Sequence, residues 1–134
     1  MYRKPISLLL ALVCLAMLAG CGKKDDQINT FISDINSFTD ELVKKVNDAP
    51  NPSQGLDDAQ KYLDSRKSEI KGKFDSIKNI GENQVSEDTK KKLQDNMFQD
   101  GMKVGQLTAK YGSDPELSPK VQKLTQDFQD LFKM

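Results

Sequence analysis

The sequence predicts an all-α protein, an up-and-down antiparallel bundle of four helices, or of three helices with a shorter fourth. After residue 27, apolar residues recur at spacings of three and four, and no segment alternates apolar and polar residues as a strand would. Short segments rich in Pro, Gly, Asn and Asp separate these periodic stretches. Because the connections are short, consecutive helices are expected to pack as antiparallel neighbours.

Two apolar stripes define the first two helices. The first stripe comprises Ile28, Phe31, Ile32, Ile35, Phe38, Leu42 and Val46. Residues 49–55 contain two prolines, which predict a break between the helices. The second helix is expected from about residue 53 or 56 to Asn79. Its stripe comprises Ala59, Leu63, Ile70, Phe74 and Ile77.

The third and fourth helices are bounded by predicted caps. Ser86 is expected to cap the third helix, which ends before Gly112, and Ser118 is expected to cap the fourth, with Pro119 at its first position. The apolar face of the third helix comprises Leu93, Met97, Val104, Leu107 and Tyr111. The apolar face of the fourth comprises Val121, Leu124, Phe128, Leu131 and Phe132.

The third helix has a second apolar face next to the first, formed by Phe98, Met102 and Ala109. Gly101 and Gly105 lie between the two faces, although each glycine costs a helix about 1 kcal/mol. The favoured interpretation is that this helix contacts two neighbours and that the glycines let them approach closely. Alternatively, Phe98, Gly101, Met102 and Gly105 bind a partner helix, where methionine adapts to varied shapes.

Residues 1–20 have the pattern of an export signal. A positively charged start precedes an apolar run over residues 6–18, which is shorter than the roughly 20 residues of a membrane span. The segment ends in Leu18-Ala19-Gly20-Cys21, which resembles the lipobox of bacterial lipoproteins. This resemblance implies cleavage between Gly20 and Cys21 and attachment of diacylglycerol to the Cys21 sulfur, with acylation of the new amino group as a further step.

The same resemblance implies three segments and a location. These are a signal peptide (1–20), a lipidated N-terminus with a short spacer (21–27) and a helical bundle domain (28–134). Gly22, and not an aspartate, follows Cys21, which in bacteria with two membranes implies the outer membrane, facing the periplasm. The mature part is similar to small helical lipoproteins of bacteria, a similarity that implies no particular activity.

The residue types exclude most chemistries. The chain has no histidine, and of its two cysteines Cys14 lies in the signal and Cys21 would carry lipid. We therefore expect no cofactor, no metal site and no thiol or histidine catalysis. The 20 basic and 20 acidic residues balance, so nucleic acid is not an expected partner. The run Lys90-Lys91-Lys92 is interpreted as a solvated helix face in preference to a lipid contact.

These observations predict a non-enzymatic protein-binding or structural module of the envelope. Its expected partners are the membrane, through lipid on Cys21, and an envelope protein. One alternative is a chaperone of a secretion-channel subunit, similar to a pilotin. An inhibitor or exclusion factor is a further possibility that sequence does not separate from the first. A carboxylate-dependent hydrolase of cell-wall carbohydrate is the enzymatic alternative. It would use acid pairs such as Asp57 with Asp58, Glu87 with Asp88 or Asp127 with Asp130.

Overall fold

The computed structural model describes the backbone of residues 6–134 and the side chains of residues 24–134. It contains the helices α1 (Ile6–Asp48), α2 (Pro52–Lys78), α3 (Glu87–Tyr111) and α4 (Ser118–Asp130), with a 3₁₀ turn at Glu82–Gln84. This part of the chain contains no strand, so the prediction of an all-α bundle is confirmed. None of its helices combines the length and apolar character that crossing a membrane requires.

Helix α2 begins earlier than the sequence predicted. Asn51 is its N-cap, with a side-chain oxygen that accepts a hydrogen bond from the backbone N–H of Gln54 at 2.9 Å. Pro52 occupies the first turn, where its missing N–H costs no helical hydrogen bond. The second proline of the predicted break therefore starts the helix, and only residues 49–51 separate α1 from α2.

One of the two predicted serine caps is confirmed and the other is wrong. Ser86 caps α3, since its Oγ accepts a hydrogen bond from the N–H of Thr89 at 3.3 Å. Ser118 is the first residue of α4, which has no side-chain cap. The turn before α4 is held instead by Asp114, whose carboxylate accepts hydrogen bonds from two backbone N–H groups, including that of Leu117 at 3.2 Å.

The helical backbone of α1 continues through the predicted spacer, residues 21–27, without a break. Within this segment, the Asp25 carboxylate accepts a hydrogen bond from the backbone N–H of Ser86 at 2.9 Å, which ties α1 to the start of α3. Helix α1 therefore passes the predicted boundary at residue 28 without interruption. The side chains at the predicted cleavage site, Gly20 and Cys21, lie outside the described residues.

Contacts between helices show that their directions alternate along the chain. Helix α2 is antiparallel to α1, and α4 is antiparallel to α3, whereas α1 runs parallel to α3 and α2 runs parallel to α4. Asp34 with Lys73 joins the antiparallel helices α1 and α2, and Thr108 with Thr125 joins the antiparallel helices α3 and α4. For α1 and α3, the pairs Asp25 with Ser86 and Asp40 with Lys103 follow the same order along both helices, so these helices are parallel. The pairs Asp57 with Lys120 and Gln60 with Asp127 give the same result for α2 and α4.

The expectation that consecutive helices are neighbours is confirmed for two connections and is wrong for the third. Helices α2 and α3 lie at opposite corners of the bundle, and α1 and α4 contact both of them. The connection over residues 79–86 crosses this diagonal, and its 3₁₀ turn packs against α1. Ile80 and Val85 anchor the connection by packing on the core, so the segment is long and apolar enough to pass across the end of the bundle.

The predicted apolar stripes form one core shared by all four helices. Every predicted stripe residue of α1, α2 and α4 is buried, except Ile32 and Phe132, which are half-buried. Aromatic rings connect the helices, since Phe38 stacks on Phe128 with ring centroids 6.2 Å apart and Phe74 meets the edge of Phe132 at 5.5 Å. This core positions α3 so that one of its faces points outward.

Candidate functional site

Two exposed large apolar side chains lie together on α3. Phe98 is 68% exposed and Met102, one turn later, is 49% exposed. Among the side chains that the structure describes, the C-terminal Met134 is the other large hydrophobic residue with comparable exposure. Single exposed apolar residues are common on proteins, whereas two on successive turns mark a surface worth testing as a contact site.

Gly101, which is exposed, and Gly105, which is half-buried, lie beside these two side chains, and both are open on the side where a Cβ atom would project. A Cβ atom built on either glycine would meet no atom within 4 Å. Helix α3 does contact two neighbours, α1 and α4, as the sequence predicted. The prediction that those neighbours approach closely at the glycines, however, is wrong, because other faces of α3 make the contacts. We call the surface formed by Phe98, Gly101, Met102, Gly105 and Ala109 the α3 face.

Two shallow concavities follow the α3 face. The outer one, of about 580 Å³, contains all five residues of the α3 face together with Met97, Gln106 and Gln129. The inner one, of about 200 Å³, lies between α3 and α4 and shares Met97, Gly101 and Gln129 with the outer one. Neither lining includes a charged side chain, although 30% of the residues in the chain are charged.

The opposite side of α3 carries a buried polar cluster. The side chain of Asp100 is 2% exposed. In the amide orientation that satisfies both groups, Asn36 of α1 donates to the two Asp100 carboxylate oxygens at 3.0 and 3.1 Å, and Asn96 donates to the Asn36 oxygen at 2.8 Å. The Lys103 ammonium lies 3.4 Å from Asp100 and 2.7 Å from Asp40. The cluster therefore links α1 to α3 directly behind the α3 face.

Burial shifts the pKa of Asp100 in this cluster. It raises the pKa of Asp100 above the ordinary range for an aspartate, because a charged carboxylate loses hydration there, and the nearby Lys103 opposes the rise only in part. Sequence reasoning missed Asp100, although a signal was present. The residue follows Met97 by three and precedes Val104 by four, so it occupies a position of the apolar stripe.

Four of the six acids considered for catalysis, Asp57, Glu87, Asp127 and Asp130, lie in ion pairs near the surface. The carboxylates of Asp57 and Glu87 lie 2.6 and 2.7 Å from the ammonium groups of Lys120 and Lys90. A hydrogen bond from a neighbouring lysine lowers the pKa of both Asp127 and Asp130. A general acid needs the opposite shift. Within the described residues, no group of three or more Cys, Asp or Glu side chains is arranged to hold a metal ion.

Comparison of the chain with protein-family profiles, with curated proteins and with solved structures found no match. The class of protein is therefore defined by its architecture and surface. It is a four-helix bundle in which one helix leaves an uncharged face with small residues uncovered.

Proposed function

We propose that this protein is a lipid-anchored, non-enzymatic module of the bacterial envelope that binds an amphipathic helix of another envelope protein along the α3 face. The observation that carries the proposal is the exposure of Phe98 and Met102 beside two uncovered glycines. The glycines cost α3 about 1 kcal/mol each without relieving any contact inside the bundle. We therefore attribute the presence of these two glycines to function and not to stability.

A helix suits the shape of the α3 face. Gly101, Gly105 and Ala109 recur every four residues, so they follow one line along the helix and leave a shallow strip free of side-chain bulk. Phe98 and Met102 border this strip with apolar contact area. A partner helix with an apolar, uncharged face fits such a lining, and its anchors would fall at spacings of three and four.

The lipid attachment that the sequence predicts at Cys21 supports the proposed envelope location. The lipobox-like sequence predicts cleavage after Gly20, and two or more acyl chains hold a protein at a membrane far more firmly than one. In cells supplied with labelled palmitate, we expect the wild-type protein to carry the label and a mature mass, and Cys21→Ser to carry none. Label on Cys21→Ser, or an uncleaved wild-type chain, would overturn the anchor.

The binding site is tested by crosslinking in intact cells. A photoreactive p-benzoylphenylalanine in place of Phe98 or Met102 is expected to crosslink one defined envelope protein through a helical segment. The same group in place of Ser68, an exposed residue of α2, is expected to give no such product. Equal crosslinking from residues 68 and 98 would contradict the proposal.

Glycine substitutions supply a matched control. Gly101→Leu fills the strip and is expected to abolish the crosslink from residue 98. Gly72→Leu makes the same change on α2, where a Cβ also meets nothing within 4 Å, and is expected to leave the crosslink intact. A crosslink that survives Gly101→Leu unchanged would show that the partner does not use the α3 face.

The two main alternatives lead to different outcomes. A chaperone similar to a pilotin would use the same face, and the crosslinked protein would be a secretion-channel subunit. A cell-wall hydrolase needs two acids roughly 5–10 Å apart across a cleft, one of them with a raised pKa. No observation specifically favours this activity, and release of soluble fragments from purified peptidoglycan would be its direct demonstration.

A further inference from the structure

One corner of the bundle is open because α4 is short. Helix α4 has 13 residues and α3 has 25, which correspond to about 20 and 37 Å of length. Helix α4 packs beside the second half of α3 and ends at Asp130, after which Phe132 reaches the level of Met97. About ten residues of α3, from Glu87 to Met97, therefore have no fourth helix beside them.

The open corner contains an apolar cavity of about 440 Å³. This volume is within the range of roughly 300–1,000 Å³ that is typical of small-molecule sites. Leu93, Met97, Ile80 and Val85 are only half-buried there, since the position that α4 would cover is empty of protein. The apolar lining comprises Ile28, Ile77, Ile80, Val85, Leu93 and Met97.

The lining of the cavity favours a hydrocarbon occupant. Its apolar side chains come from α1, α2, the connection over residues 79–86 and α3, so they line a pocket from several sides and do not follow a single helix. None of them is aromatic. A narrow, flexible hydrocarbon chain suits such an aliphatic lining.

The position of the open corner also points to lipid. Cys21 precedes Ile28, a residue of the cavity lining, by seven positions on the same helical backbone. Seven residues are almost two turns and about 10 Å, so both positions lie on the same side of α1. If Cys21 is lipidated, its acyl chains begin at this end of the bundle.

We propose that the open corner is the binding site for one acyl chain of the lipid that the proposed function attaches to Cys21. The polar residues of the lining, which include Glu82 and Lys90, are exposed or half-buried and leave the apolar floor free for the chain. Lys90 already pairs with Glu87 at 2.7 Å, so burial of the hydrocarbon, and not a charged headgroup, would drive binding. The site does not depend on helix binding at the α3 face.

Tryptophan quenching by a brominated fatty acid tests the site, because the chain contains no tryptophan of its own. Leu93→Trp places the only indole in the cavity, and Phe98→Trp places it on the α3 face as the matched control. The buried core extends from Ile28 to Leu131, so a chain of residues 22–134 retains all of it. In that lipid-free chain we expect saturable loss of fluorescence with Leu93→Trp and only weak, non-saturable loss with Phe98→Trp.

Equal quenching at the two positions, or none at Leu93→Trp in a folded chain, would overturn the proposal. Val85→Trp replaces Leu93→Trp if that variant loses its helical circular dichroism. In the lipidated full protein in phosphatidylcholine vesicles, the acyl chain on Cys21 is expected to protect Leu93→Trp from quenching. Undiminished quenching in a protein that carries the palmitate label would overturn the assignment to Cys21 and indicate a separate lipid or fatty acid. Failure of the crosslinks from residue 98 would leave this result unaffected.

Discussion

Replacing the two glycines of the α3 face with alanine is expected to stabilise the protein. A Cβ added at Gly101 or Gly105 meets no atom within 4 Å, so neither substitution causes a clash. Each alanine recovers the helix propensity that glycine forfeits, about 0.8–1.0 kcal/mol. The double variant Gly101→Ala with Gly105→Ala should therefore gain about 2 kcal/mol, provided that the two positions act independently.

Two other glycines provide the comparison. Gly72 on α2 is equally uncovered, so Gly72→Ala should gain the same 0.8–1.0 kcal/mol or so. Gly55 is the opposite case, since a Cβ there would lie 2.6 Å from the carbonyl oxygen of Val46 and 2.9 Å from its Cα. Both atoms belong to the backbone of α1, so Gly55→Ala must push the helices apart and should cost about 1–3 kcal/mol.

Urea unfolding of the double variant and of the four single variants, followed by helical circular dichroism, measures these differences. In a chain of 134 residues, a change of 1 kcal/mol moves the melting temperature by roughly 4 °C, so thermal melts give an independent check. Destabilisation by Gly101→Ala or Gly105→Ala would refute the reasoning, because it would mean that something packs against the α3 face. A neutral Gly55→Ala would refute the close approach of α1 and α2.

Two further predictions concern the interior. Burial raises the pKa of Asp100 in the folded protein, so ionisation of this carboxyl group lowers the stability of the fold. The free energy of unfolding of the wild type, relative to that of Asp100→Asn, should therefore fall as the pH rises from about 3.9, the usual aspartate pKa, through the raised value. If the difference in unfolding free energy between the two proteins stays the same from roughly pH 3 to pH 7, the prediction is contradicted. Leu63→Ala, at a fully buried position, should cost about 2–5 kcal/mol in urea unfolding, whereas Lys61→Ala at an exposed position should stay within about 0.5 kcal/mol.

The local signals of the sequence were sufficient for the helices and for most of the core. Spacings of three and four mark a buried face whatever packs against it, which is why the stripes from Ile28 to Val46 and from Val121 to Leu131 were correctly identified. Caps were less certain, because Ser118 and Asp114 both suit a helix start and only the backbone path distinguishes their roles.

The candidate sites depended on tertiary structure. Gly101 and Gly105 have the same sequence pattern whether a neighbouring helix covers them or solvent does, and the position of α4 decides between these cases. Asp100 occupies a stripe position, and Asn36, which donates to both of its buried carboxylate oxygens, lies 64 residues earlier in the chain.

The sequence by itself determined the helical class, the four elements and the residues that face inward, because each depends on neighbours within one or two turns. It also carries the prediction of a lipid anchor at Cys21. Only the tertiary structure decided that the connection over residues 79–86 crosses the bundle, that α4 stops short of the open corner and that the α3 face is uncovered. These features depend on how residues far apart in the chain meet, which local periodicity does not encode.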